Sequence, residues 1–201
     1  MNLLFKAVCL GILATCSVNA FSQKLSLEQG DLSFLKNEKS INLELTYEDM
    51  KVGKYDNEKD YVTNKQAEMN KKNPGTGDTW AKEWENDKGD RYRAKFVELF
   101  QEHCPTLKIT NDGKAKYTII YHTTFLEPGY NIGISRKNAQ HNAILTVVDA
   151  ADKSKVLAKI TVDKALGRTM SFSDYDTGAR LAETYADAAK EIGKMFEKKM
   201  Q

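Results

Sequence analysis

The chain has 201 residues, with 30 Lys and Arg against 28 Asp and Glu, a formal charge of +2. Setting aside an N-terminal leader that holds Lys6 and no acid lowers it to +1, which excludes a general basic footprint for nucleic acid and a polyanionic character. At 41% hydrophobic and 29% charged, with three prolines and twelve glycines, the composition excludes disordered, collagen-like and low-complexity chains.

Residues 1–22 read as a signal peptide. Lys6 is followed by an apolar run from Ala7 to Ala14, then small residues with cleavage frames at Val18-Asn19-Ala20 or Ala20-Phe21-Ser22. That run is too short for a membrane span of ~20 residues, and no later stretch approaches that length, so no span is expected in the mature chain. Leu13-Ala14-Thr15-Cys16 also resembles a bacterial lipobox, in which Cys16 would be acylated and become the first residue. Thr15 departs from the Gly, Ala or Ser usual there, and both routes stay open. With ordinary cleavage Cys9 and Cys16 leave with the leader, and Cys104 remains as a lone thiol at the end of an apolar helix face.

Residues 23–39 are a polar lead-in, and 40–201 read as one domain of a size that needs no disulfide. Ile41, Leu43, Leu45 and Tyr47 alternate with polar residues and predict a half-buried strand. Asp56 or Asn57 offers a cap for a helix to about Lys72, stopped by Asn73-Pro74-Gly75. A second helical stretch is expected to be capped by Asp78. It carries Trp80 and Trp84 on one face, can kink at Gly89, and continues an apolar stripe through Tyr92, Phe96, Val97, Phe100 and Cys104 to Pro105.

From Leu107 the period changes. Strands are predicted at Leu107–Thr110 and Tyr117–Leu126, separated by the turn residues Asn111-Asp112-Gly113. Glu127–Asn138 is a long connection holding Pro128, Gly129 and Gly133. Asn142–Asp149 and Val156–Asp163 form a hairpin, and opposing Val147 to Val156 gives one continuous apolar face. A last helix runs from about Thr177 to Lys199, with Leu181, Tyr185, Ala188, Ile192, Met195 and Phe196 on one stripe. This order, β-α-α-β-β-β-β-α, predicts a two-layer α+β domain: an antiparallel-rich sheet of about 4–5 strands with helices packed on one face.

No motif names a reaction. His103, His122 and His141 are far apart in sequence, with no metal-ligand spacing, and no phosphate cradle is present, so neither metal nor cofactor is implied. Gly133-Ile134-Ser135 and Ser33-Phe34-Leu35-Lys36 match nucleophile motifs only in part. Asp174 and Asp176 would serve a carboxylate hydrolase, but Asp176 or Thr177 also makes a good N-cap. Gly178 and Arg180 in the first helical turn offer an anion site, although the flanking acids make Arg180 more suited to its own chain. Trp80 and Trp84 fit either sugar stacking or core packing. Tyr130, Arg136 and Lys137 make the 127–138 connection the place for recognition.

Phe34-Leu35-Lys36, Ile41-Asn42-Leu43, Met50-Lys51-Val52-Gly53-Lys54, Pro74-Gly75-Thr76-Gly77-Asp78 with Trp80 and Trp84, Thr124-Phe125-Leu126-Glu127-Pro128-Gly129, Val156-Leu157-Ala158-Lys159-Ile160 and Asp176-Thr177-Gly178-Ala179-Arg180 together resemble an uncharacterised family. Its members are small secreted proteins of anaerobic gut-type Gram-negative bacteria. The element order also resembles envelope domains such as the N-terminal domain of TolB. The resemblance implies export and no assigned activity. The expectation is therefore a secreted or envelope protein with a non-enzymatic binding or structural role, its partner an envelope protein or a carbohydrate. A carbohydrate- or small-anion-binding module is the alternative, with a carboxylate hydrolase third.

Overall fold

The computed structural model describes residues 23–167 and 175–201. In chain order these form β1 (Lys24–Gly30), β2 (Ser40–Thr46), β3 (Lys51–Val52), α1 (Glu58–Lys72), α2 (Thr76–Asp87), a π-helical turn (Lys88–Tyr92), α3 (Arg93–His103), β4 (Lys108–Thr110), β5 (Tyr117–Glu127), β6 (Tyr130–Asn131), β7 (Arg136–Lys137), β8 (Ala139–Asp149), β9 (Val156–Gly167) and α4 (Thr177–Met200). The predicted leader, with Cys9 and Cys16, lies outside the described residues, as does Asp174.

Seven strands make one sheet in the order β1-β9-β8-β5-β2-β4, with β3 pairing β5 off that path. The α+β class holds, and the count of 4–5 strands is corrected upward. The sheet is mixed: β1, β9, β8 and β5 pair antiparallel, whereas β2 runs parallel to β4 and β5, and β3 parallel to β5. The parallel half follows from connectivity, because three helical segments separate β2 from β4 and only such a crossover returns the chain in the same direction. Between β4 and β5 the chain changes sides of β2, and the Asn42 side-chain amide holds that crossing by donating to the carbonyls of Ala115 (3.0 Å) and Tyr117 (3.3 Å).

The extra strands come from segments with little pattern to show. β1 arises inside the polar lead-in, where Leu25 and Leu27 are its two large apolar residues, and both are only half-buried at the sheet edge. The β8–β9 register also differs: Val147 opposes Ala158, Leu145 opposes Ile160, and Val156 meets Val148. The pairing is displaced by two residues, which preserves the face because strand side chains repeat every two.

Periodicity builds the core. Ile119 and Tyr121 of β5, Ala143, Leu145 and Val147 of β8, and Ala158, Ile160 and Val162 of β9 point into one helix-covered face. Onto it pack Phe96 and Phe100 of α3 and Leu181, Tyr185, Ile192 and Phe196 of α4, with Phe100 and Phe196 edge-on at 5.5 Å. No residue of α1 is buried, as its sparse stripe suggested. Asn57 caps α1 by accepting from the Asp60 N–H. α2 is capped instead by Gly75 in a left-handed conformation, and Asp78 accepts from the side chains of Gln66 (2.8 Å) and Asn70 (2.9 Å), tying α2 to α1. The expected kink at Gly89 is the π turn.

Candidate functional site

One end of the sheet gathers most of the residues singled out in the sequence. β5 ends there at Glu127, β8 begins at Ala139 opposite Gly167 of β9, and α4 starts there at Thr177. The connection after β5 is a ribbon rather than an open loop. β6 and β7 pair Tyr130 with Lys137 and Asn131 with Arg136, and the Ile132 N–H donates to the Ser135 carbonyl (3.0 Å). Gly133 takes φ +81° at the first central position, as a type II′ turn requires. Its N–H donates to Asn131 Oδ1 (2.9 Å). The tip is apolar and open to solvent: Ile134 is 96% exposed, Ile132 64% and Tyr130 44%.

The ribbon is fastened at its root. Lys137 pairs with Glu127 (2.5 Å). Arg180 is only 4% exposed and donates through Nε to the Pro128 carbonyl (3.3 Å), and through Nη2 to the Gly129 carbonyl (3.4 Å) and Thr177 Oγ1 (3.0 Å). Arg180 thus bonds its own chain and clamps the hairpin to the first turn of α4.

Gly178 serves the same junction. Asp176 is the N-cap, accepting from the N–H groups of Gly178 (2.8 Å) and Ala179 (3.3 Å). A Cβ at 178 would lie 1.8 Å from Asp87 Oδ2, so the glycine admits the buried Asp87 carboxylate against the helix end. Arg91 bridges the two acids, 2.6 Å from Asp176 and 3.0 Å from Asp87. Burial pushes the Asp87 carboxyl up against the pull of Arg91. At Asp176 burial is outweighed by the Arg91 and backbone hydrogen bonds, and the carboxyl is held low. The anion that this helix end attracts is supplied by the chain itself.

The tryptophans face inward. Trp84 is buried and donates from Nε1 to Glu58 (2.6 Å), while Trp80 is half-buried. Tyr61 lies 5.8 Å from Trp80 and 5.0 Å from Trp84, so the rings turn on one another as a packed cluster. Beside it opens a cleft of about 740 Å³ that the sequence did not reveal, lined by Tyr47, Glu48, Glu58, Lys88, Asp90 and Arg93 among others. Lys88 lies over the Tyr47 ring and pairs with Glu58 (2.9 Å) and Glu85 (2.8 Å). Burial opposes its charge, and the two carboxylates outweigh that, raising its pKa. Arg93 donates to the Leu43 carbonyl (2.9 Å) and to Asn111. Both cations of the cleft are therefore engaged internally.

The histidines do not converge. His122 hydrogen-bonds Thr46 on the sheet's other face, and His103 bonds the Leu99 carbonyl. His141 is buried beneath α4, with Tyr121 Oη at 2.5 Å from Nε2 and Thr184 Oγ1 at 2.7 Å from Nδ1. Thr184 spends its proton on the Leu181 carbonyl, so it accepts from Nδ1–H, which leaves Nε2 to accept from Tyr121. Alternation along β8 would have placed His141 inward, but its partners on β5 and α4 carry no signal in the sequence.

The partial nucleophile motifs do not close either. The Ser33 hydroxyl donates to Asp31, while Lys36 reaches the Gln201 carbonyl. Cys104 is buried, and burial pushes its thiol up to about 11. Among the described residues, no group of three or more His, Cys, Asp or Glu side chains could hold a metal, and no helix is long and apolar enough to cross a membrane.

No family model and no curated protein matches the sequence. Among solved structures, the chain is similar to the PelC dodecamer from Paraburkholderia phytofirmans, at 8% identity and a TM-score of 0.39 over 83% of this chain and 96% of that one. A point variant of the same protein gives 10% identity and a TM-score of 0.38 over the same shares. A Xanthomonas campestris protein of the DUF330 family is similar at 10% identity, with a TM-score of 0.33 over 52% of this chain and 58% of that one.

Proposed function

We propose that the chain is an exported envelope or secreted protein that binds a partner without carrying out a reaction, and that the hairpin 130–137 is its contact element. One observation carries this reading: two isoleucines, 64% and 96% exposed, stand at the tip of a ribbon whose root is clamped by Arg180 and by the Lys137–Glu127 pair. Solvent gains nothing from such a tip, and a fixed root lowers the ordering cost of contact. Export rests on the Ala7–Ala14 run and the small residues after it. The resemblance read from the sequence motifs to secreted proteins of gut-type Gram-negative bacteria, and from the element order to TolB-type envelope domains, implies the same compartment.

The test is a photo-activatable amino acid in place of Ile134 in the native host, with Ala151 in the β8–β9 turn as the control position. A discrete adduct in the envelope or secreted fraction is expected from position 134 and none from 151. An unreactive position 134, or equal labelling from both, contradicts the reading.

A further inference from the structure

We infer that the surface met by the hairpin is an anionic lipid bilayer, an inference that rests on the hairpin being the contact element. From tip to root the ribbon presents Ile134 and Ile132, then Arg136, then Tyr130 and Lys137. That is an apolar wedge backed by the Arg136 guanidinium, an amphipathic ring and the charge-neutral Lys137–Glu127 pair, the order in which acyl chains and headgroups are met from inside a leaflet outward. No acidic residue occurs between Glu127 and Asp149. Of the acids at the root, Glu127 is paired with Lys137, and Asp176 and the buried Asp87 share Arg91. Tyr175, 61% exposed at the start of α4, adds a second amphipathic ring at the same end.

The footprint separates a bilayer from a protein partner. A stable protein interface takes about 800 Å² from each side. The exposed apolar tip is three side chains, Ile134, Ile132 and Tyr130, against the roughly 20–30 residues a side of a standard protein interface, whereas a bilayer accepts a few apolar side chains and adds attraction for nearby cations.

The way the chain enters the fold agrees. Lys24 of β1 pairs with Asp163, near the end of β9 that meets Ala139, so the described chain begins at the hairpin end of the sheet. Were Cys16 acylated, the seven residues to Gln23 would span at most about 25 Å. That tether would hold the same end against the membrane.

The test is flotation of the chain from Gln23 onward, which lacks Cys16 so that no acyl group contributes, with vesicles of phosphatidylethanolamine and phosphatidylglycerol. Binding is expected, weaker to phosphatidylcholine alone and weakened by salt. Ile134→Asp should reduce partitioning about tenfold or more while leaving the melting temperature in place, since the side chain is almost wholly exposed. Absence of binding to the anionic vesicles, or a variant that floats like the parent, overturns the inference. A cross-link from position 134 to a protein rather than to lipid also overturns it and leaves the contact-element reading standing.

Discussion

Acidification from pH 7 to pH 3 is expected to remove on the order of 5 kcal/mol of folding stability through His141 alone. The imidazole is fully buried, and burial drops its pKa from the ordinary 6.5 to about 3. Tyr121, Thr184 and Tyr185 surround it, the last stacked at 4.5 Å, and none of them brings a charge to offset protonation. The unfolded chain takes up the proton first. The contribution is therefore complete above pH ~6.5 and is lost at roughly 1.4 kcal/mol per pH unit down to the folded pKa. By pH 5 the loss is about 2 kcal/mol, a large share of a typical domain's 5–15 kcal/mol. The carboxylates of Asp31, Asp78, Asp152 and Asp176 are held low and lose their contributions only in the carboxylate range further down, while Asp87, pushed up by burial, takes its proton above them and favours the folded state as pH falls, so the histidine is what drives the loss of stability below pH 6.5. Urea unfolding between about pH 6.5 and 4.5 should show the midpoint falling in the parent. In His141→Gln it should be lower at neutral pH and nearly flat. Parallel pH profiles for the two would show that the buried imidazole does not govern acid stability.

Gly178→Ala is expected to cost about 3 kcal/mol, against the usual gain of up to about 1 kcal/mol for alanine inside a helix. The new methyl would stand 1.8 Å from Asp87 Oδ2 and 2.9 Å from Arg91 Nη1. Asp87 is buried, with a short side chain held by Arg91, so it cannot swing away without surrendering that ion pair. Asp87→Ala removes the obstacle, and in that background Gly178→Ala should become neutral or stabilising. The double-mutant cycle would then report a coupling of about 3 kcal/mol. Additive effects would mean that the close approach of Asp87 is not what requires glycine here.

Gly178 and Asp87 also mark where the sequence stops being informative. The first-turn glycine and the acid cap at Asp176 were legible, and so was the suitability of Arg180 for its own chain. Asp87, which completes the junction, sits on another helix, and nothing local announces it. The fold divides in the same way. Long elements with a strong period (Ile41–Tyr47, the stripe from Tyr92 to Cys104, and the last helix) lie close to where the residues place them, because one buried face dictates them. β1 and β3 escaped because so few of their residues are buried that they impose no pattern, whereas the short β4 lies where Leu107–Thr110 places it. Parallel and antiparallel strands share a period of two, so alternation alone could not reveal the parallel half of the sheet, nor the two-residue displacement between β8 and β9. The hairpin 130–137 is shorter than any window that shows periodicity, with Gly133 as its one local mark. The length of that connection points to its polar and aromatic residues, Tyr130 and Arg136, and nothing in the sequence distinguishes the isoleucines at its tip. They are the residues that the geometry puts forward.

Hydrogen exchange offers the most direct test that this protein meets its partner at the hairpin end, by comparing the free chain with the chain bound in its native envelope or secreted fraction. Added protection is expected at residues 128–138 and in the first turn of α4, with the β8–β9 turn at 150–154 and the outer sheet face unchanged. Protection centred on that turn or that face, with the hairpin exchanging as in the free chain, would contradict it.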